Sequence, residues 1–289
     1  MTAPNAQRLR RSLLYVPASN ARALEKARAL PADGFIVDLE DAVLPDAKAG
    51  AREAAVQLIR SGGLAGREVI VRVNGLDTPW IRDDLAALSE ARAPAILVPK
   101  VNGPDDLQRV AGSLSHAEDV ELWAMMETPL SILNARNIAA AAPSLTGLVV
   151  GTNDLAKELR CAHPSDRAPM MTALQTCVLA GRAFGLAVID GVHIDLDDER
   201  GFLDSCRASR ALGFDGRSLI HPKQIHGANE AYAPSEADVA RARKIVAAHA
   251  AATADGKAVV IVDGRLVEFL HVKDAERILA QADQIAALR

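Results

Sequence analysis

Short apolar runs recur along the chain at even intervals, and alanine-rich segments lie between most of them. The runs are "SLLYV" (12–16), "GFIVDL" (34–39), "EVIVRVN" (68–74), "AILVPKV" (95–101), "VELWAMME" (120–127), "LTGLVVG" (145–151), "GLAVIDG" (185–191) and "GFDGRSLI" (213–220). Runs this short read as buried strands, whereas "ARALEKARAL" and "DDLAALSEARA" space their apolar residues as helices do. Strands alternating with helices predict a parallel sheet. Eight such units in about 220 residues match a (β/α)8 TIM barrel. An open doubly wound sheet is the alternative, but no G-x-G-x-x-G turn is present.

Aromatic residues are only 3% of the chain, while 49% is hydrophobic, so Ala, Leu and Val must fill the interior. A net charge of -4 gives no nucleic-acid surface. Cys161, Cys177 and Cys206 are odd in number and form no C-x-x-C. They read as reduced thiols of a cytoplasmic protein, without a structural zinc site. The basic start of "RLRRSLLYVPASN" leads into an apolar run that Pro17 ends too early for a signal peptide. No apolar run reaches the roughly 18 residues of a membrane span, so no membrane association is expected.

Beyond residue 220 the pattern changes. The expected division is a catalytic barrel over residues 1–225 and a C-terminal extension over 226–289. The extension reads as a loop at 234–235, a long helix, a hairpin "KAVVIVDGRLV" turning at Asp263-Gly264, and a terminal helix. It is expected to pack on the barrel or on a neighbouring subunit.

Barrel active sites lie at the C-terminal ends of the strands. That rule selects Asp38, Glu40 and Asp41 after strand 2, Arg72 and Asn74 on strand 3, Lys100 after strand 4, Glu127 after strand 5 and Asp154 after strand 6. It also selects His193, Arg217 and His221 at strands 7 and 8. Glu127 and Asp154 end adjacent strands, and two carboxylates without His or Cys suit a hard cation, Mg²⁺ or Mn²⁺. Spacing alone leaves open that Asp154 merely caps the next helix. Alternation points Arg72 into the lumen with Ile70 and Asn74, while Val71 and Val73 face the helices. There Arg72 either closes a structural salt bridge with Asp38 or Glu40, or grips a carboxylate or carbonyl of a substrate. The acids Asp38, Glu40 and Asp41 would hold this arginine and hydrogen-bond water around the cation.

These residues also resemble a family. "RSLLYVPASN", "FIVDLEDAV", Lys48 with Ala51-Arg52, "VRVN", "VPKV", "METP", "GTNDLA" and "GFDGRSLIHPKQI" are similar, in order, to the citrate lyase β-subunit-like proteins. That family includes malyl-CoA and citramalyl-CoA lyases of the HpcH/HpaI aldolase superfamily. The resemblance implies a homotrimer or hexamer and Mg²⁺ on Glu127 and Asp154. It implies a 2-oxo acid held by the metal, by Arg72 and by Gly151, Thr152 and Asn153, and a CoA thioester near Arg22 and Lys26. It implies a catalytic Asp263 on an extension that reaches over a neighbour. The implied reaction is carbon–carbon cleavage of a 3-hydroxyacyl-CoA into an acyl-CoA and a 2-oxo acid. A citryl-thioester subunit of a citrate lyase complex, a CoA-independent aldolase and a non-catalytic binding protein are the alternatives. Two positions depart from the family pattern: Ala18 stands where glycine is common, and Asn20-Ala21-Arg22 replaces an arginine-proline.

Overall fold

A computed structural model describes residues 8–64, 66–254 and 259–288. Eight parallel strands close into a barrel in sequence order. They are β1 (Ser12–Pro17), β2 (Gly34–Asp38), β3 (Glu68–Arg72), β4 (Ala95–Val98), β5 (Glu121–Met126), β6 (Leu145–Val150), β7 (Ala187–Asp190) and β8 (Gly216–Leu219). Each falls inside or within a residue of one of the eight apolar runs. β4 stops before Pro99, which has no N–H to continue a ladder. The barrel helices are α1 (Ala21–Ala27), α2 (Lys48–Arg60), α3 (Ile81–Glu90), α4 (Pro104–Gly112), α5 (Pro129–Leu133), α6 (Ala135–Ala139), α7 (Thr152–Leu159), α8 (Met171–Ala183), α9 (Glu199–Leu212) and α10 (Gln224–Tyr232). The fold is therefore the TIM-like (β/α)8 barrel.

Alternation along the strands builds two cores. Leu13, Ile36, Ile70, Leu97, Trp123, Met125, Val149 and Ile189 point inward and pack together in the lumen. Their neighbours Leu14, Val37, Val71, Val98, Leu122, Leu148 and Val188 point outward against the helices. Few aromatics are needed, because Trp123 fills much of the lumen. A side chain at Gly147 would collide with its ring, so that position needs glycine. Below Trp123, Arg10 lies 5.0 Å over the ring and grips Glu68 through two hydrogen bonds of 2.8 Å. The N-terminal end of the lumen is thus closed, and open chemistry is left to the other end.

The contacts divide into two compact units, the first running from Arg10 to Tyr232 and so including α10. The second comprises Arg8, Leu9 and the chain from Ala233 onward. It holds α11 (Glu236–Ala254), β9 (Val260–Val262), β10 (Arg265–Val267) and α12 (Phe269–Ala287). Ala242, Ile245, Val267, Val272 and Ala275 form its own small core. β9 and β10 pair antiparallel around Asp263 and Gly264, both with positive φ, which is the two-residue turn expected for this hairpin. Lys257 and Ala258 of the expected hairpin lie outside the described residues. Among those described, no helix is long and apolar enough to cross a membrane.

Candidate active site

Asp38 and Arg72 end adjacent strands and are register partners. Arg72 donates to Asp38 through Nε at 2.7 Å and through Nη2 at 2.8 Å. The same carboxylate accepts the backbone N–H groups of Glu40 at 2.9 Å and Ala42 at 3.0 Å. Burial pushes the Asp38 carboxyl up, but the Arg72 guanidinium and these N–H groups together hold it below the usual range. The Glu40 carboxylate lies 3.0 Å from Arg72 Nη1 and accepts from Lys100 Nζ at 2.7 Å. There burial outweighs both cations, and the group is raised. Asp41 stands 3.5 Å from Arg72 Nη1 with its side chain exposed. The sequence left the Arg72 salt bridge and the substrate fork as alternatives. The salt bridge is formed, yet a guanidinium has five N–H groups, and these bonds do not use them all.

Glu127 follows β5 and is 1% exposed. Its Oε1 accepts the backbone N–H of Lys100 at 2.7 Å. Lys100 turns that N–H inward by adopting φ +51, a left-handed conformation that costs a lysine about 1–2 kcal/mol. Gly151, which ends the adjacent β6 ladder, makes the room, since a side chain there would overlap the Glu127 carboxylate. Burial pushes the Glu127 carboxyl up to about 7; Glu40 and Asp154 push the same way, while the Lys100 N–H and Arg72 oppose them. Asp154 lies in the first turn of α7, half-buried. The N-cap of that helix is Gly151, which offers no capping side chain, so Asp154 does not fill that role. Two oxygen-donor acids, one of them raised by burial and by its neighbour's charge, fit a hard divalent cation that would favour the ionised form of both. A cluster of half-buried His116 with exposed Glu118 and Asp119 lies at the other end of β5, away from these groups.

A staple behind the mouth holds the loops after β2 and β3. Lys48 Nζ donates to the carbonyls of Leu39 (2.7 Å) and Glu40 (2.8 Å) and to Asn74 Oδ1 (2.6 Å). Asn74 Nδ2 donates to Asp84 (2.6 Å), which also accepts from Arg52 Nε (2.8 Å).

An HpcH/HpaI aldolase/citrate lyase model matches residues 11–222. The chain belongs to this family. It is 49% identical over 277 residues to a (3S)-malyl-CoA thioesterase of Cereibacter sphaeroides, covering 96% of each protein. It is 35% identical to an L-malyl-CoA/beta-methylmalyl-CoA lyase of the same organism, covering 98% of each. Against the citrate lyase subunit beta of Escherichia coli identity is 33%, over 96% of this chain and 94% of that one. Among solved structures, CitE from Mycobacterium tuberculosis, in complex with magnesium, acetoacetate and coenzyme A, superposes with a TM-score of 0.78 at 30% identity, covering 94% of this chain and 97% of that one.

Not every residue chosen at a strand end faces the mouth of this family member. Asn74 was expected on the Arg72 face, but β3 ends at Arg72, and although Val73 still packs outward, Asn74 turns to Lys48 of α2 and Asp84 of α3. Arg217 points outward at α9, donating to Gly191 O (2.8 Å) and Ser205 Oγ (2.6 Å). His221 Nδ1 accepts the Lys223 N–H at 3.1 Å in a local turn. The His193 ring packs edge-on against Phe202 of α9. Of the residues assigned by resemblance, Arg22 and Lys26 are exposed on α1, Asn153 is exposed at the start of α7, and Thr152 is buried there. Asp263 sits in the β9–β10 turn with Lys244 Nζ at 3.1 Å.

Three residues carry more of the site than the sequence reading gave them. Lys48 and Lys100 were marked by motif and by position but received no role. Tyr15 was read only as a strand former. The signal for it was its inward register two residues after Leu13, near the strand's C-terminal end.

Proposed function

We propose that the protein is a divalent-metal-dependent enzyme acting on malyl-CoA-type thioesters. The observation that carries this reading is the buried Glu127, raised to about 7 beside Asp154, with Arg72 fixed across the mouth. Glu127 and Asp154 would hold magnesium or manganese. Bound there, the cation would supply positive charge to the oxygens of the 2-hydroxy or 2-oxo acid portion. Arg72, held by Asp38 and Glu40, would bind the same portion. The Gly151 N–H is spent on the Met126 carbonyl, but the N–H groups of Thr152 and Asn153 in the first turn of α7, which no capping side chain occupies, would donate to the carboxylate of that portion, with Gly151 leaving room for it. Arg22 and Lys26 would meet the CoA phosphates. Asp263, on an extension lent by a neighbouring subunit of a homotrimer, would move the proton.

Two bonds are open to this arrangement. Hydrolysis needs the base to activate water against the thioester carbonyl. Carbon–carbon cleavage needs it to take the hydroxyl proton while electrons pass into a thioester enolate. The 49% identity to thioesterases along nearly the whole chain favours hydrolysis. The 35% identity to a lyase supports cleavage, the reaction expected from the sequence resemblance, as the second reading. Purified protein with magnesium and (3S)-malyl-CoA separates them. Hydrolysis releases free thiol and malate, whereas cleavage releases glyoxylate and acetyl-CoA without thiol. If neither product set forms, the reading is wrong.

A further inference from the structure

Five described residues other than glycine take a positive φ. Arg92 and Arg160 close helices, Arg167 opens the short turn before α8, and Asp263 sits in the hairpin. Lys100 instead follows a barrel strand, two residues after Val98 ends β4. A left-handed backbone is easy for glycine and tolerated by asparagine, and it does not suit lysine. What lysine has and glycine lacks is a side chain that reaches Glu40 Oε1, at 2.7 Å.

The two ends of Lys100 do different work. Its N–H donates to Glu127 Oε1 at 2.7 Å, while Glu127 Oε2 lies over Gly151, toward the helix that carries Asp154. Its ammonium is held by Glu40, whose own carbonyl Lys48 grips at 2.8 Å. Arg72 has other supports. Asp38 bonds it at 2.7 and 2.8 Å, and it stacks over the Tyr15 ring at 4.8 Å. Arg72 Nη1 and the Tyr15 hydroxyl also meet at the Met125 sulfur, at 3.7 and 3.9 Å. As a source of stability the Glu40–Lys100 pair is weak, because the lysine side chain is 47% exposed. Its distinct effect is to tie the loop after β2 to the backbone on which Glu127 leans.

We infer that Lys100 is a positioning residue for the metal site: its tether to Glu40 keeps the left-handed backbone in place, and the N–H presented there holds Glu127 by Oε1 so that Oε2 faces the cation. The inference rests on the proposed function, since it takes Glu127 and Asp154 as the ligands. It goes beyond that reading by making the loops after β2 and β4 part of what orients Glu127. A carboxylate already fixed through one oxygen has less freedom to lose when the other meets a cation.

The test is calorimetric titration of magnesium, without substrate and at one pH, into wild type and the variants Lys100→Gly, Lys100→Asn and Lys100→Ala. All three variants lose the ammonium and its tether, so their charge is the same. Glycine and asparagine take the left-handed backbone unaided, whereas alanine does not. Lys100→Ala should bind magnesium about ten- to a hundredfold more weakly than wild type, the loss typical when a ligand's supporting partner goes, and the glycine and asparagine variants should stay within about threefold. A merely stabilising ion pair would give no such rescue. Losses beyond about tenfold in both Lys100→Gly and Lys100→Asn would overturn the inference, even where Lys100→Ala fails to fold. Wild-type affinity in a folded Lys100→Ala would overturn it too. Both of those results leave the proposed function standing. If wild type binds no magnesium, the proposed function fails and takes the inference with it.

Discussion

Two aspartates end strands on different sides of the barrel, and each holds an arginine. Asp38 of β2 grips Arg72 at 2.7 and 2.8 Å. Asp190 of β7 grips Arg167 at 2.7 and 2.6 Å, and Arg217 lies 3.9 Å away. Both carboxyls are buried, and in both the arginines outweigh the burial that would raise them. The difference is direction. Asp38 faces inward, so Arg72 stands at the mouth, its Nη1 3.7 Å from the Met125 sulfur. Asp190 faces outward, and its neighbours are the inner side of α9 and the Gly191 carbonyl. Arg217 bonds Ser205 there, and Tyr232 of α10 donates to Ser209 at 2.7 Å. A buried ion pair is thus no sign of function by itself. One whose donors also touch a weak acceptor, as Arg72 Nη1 touches the Met125 sulfur, is a better sign.

The comparison can be broken most sharply by Asp190→Asn. It leaves Arg167 and Arg217 buried without their countercharge, which should cost about 3–5 kcal/mol of stability in urea unfolding. The kcat/KM per folded molecule should stay near wild type. A stable variant without activity would make the two pairs functionally alike and end the distinction.

Next in size are the inward groups. Glu127→Gln and Asp154→Asn should each lower metal-dependent turnover about a hundredfold or more, with native circular dichroism. Arg72→Lys keeps the charge but loses the planar fork, and it should be badly impaired as well. Full turnover after EDTA treatment would remove the metal from the reading.

Glu40→Gln sharpens the inward side alone. Glu40 touches Arg72 and Lys100 and raises Glu127 by its charge. Its loss should weaken apparent magnesium affinity about ten- to a hundredfold, as the loss of supporting partners does. An unchanged magnesium titration would reduce Glu40 to a partner of Lys100.

The smallest effect is on pH. The Glu127 carboxyl ionises near 7 when folded, against an ordinary value of 4.5. The folded chain therefore holds the extra proton between those values, and metal-free stability should fall as pH rises through that window. Magnesium must displace the same proton, so its affinity should drop about tenfold per pH unit below 7. Glu127→Gln should flatten the metal-free melting curve across this window. Asp190→Asn should leave that slope in place, because its lowered carboxyl titrates on the acid side of the range.

What the sequence determined was the architecture and the end of the barrel that carries the polar groups. Eight short runs separated by helical spacing admit few folds, and period-two alternation placed Ile70 and Arg72 inside and Val71 outside without any tertiary knowledge. Asp38, Arg72 and Glu127 were legible because each lies at or next to the last residue of a strand, where that alternation still holds. What only the tertiary structure decided lies beyond the strand ends or depends on neighbours far apart in sequence. Asn74 left the Arg72 face as soon as β3 ended. Arg217 carried the right residue type at a strand but took the outward register. Lys100 acts through a left-handed backbone and a reach of 60 residues back to Glu40, and neither leaves a local pattern. Tyr15 was visible as an inward aromatic, but its convergence with Arg72 on Met125 needs three strands closed into one barrel. Periodicity records which face a residue takes, and only closure sets which faces meet.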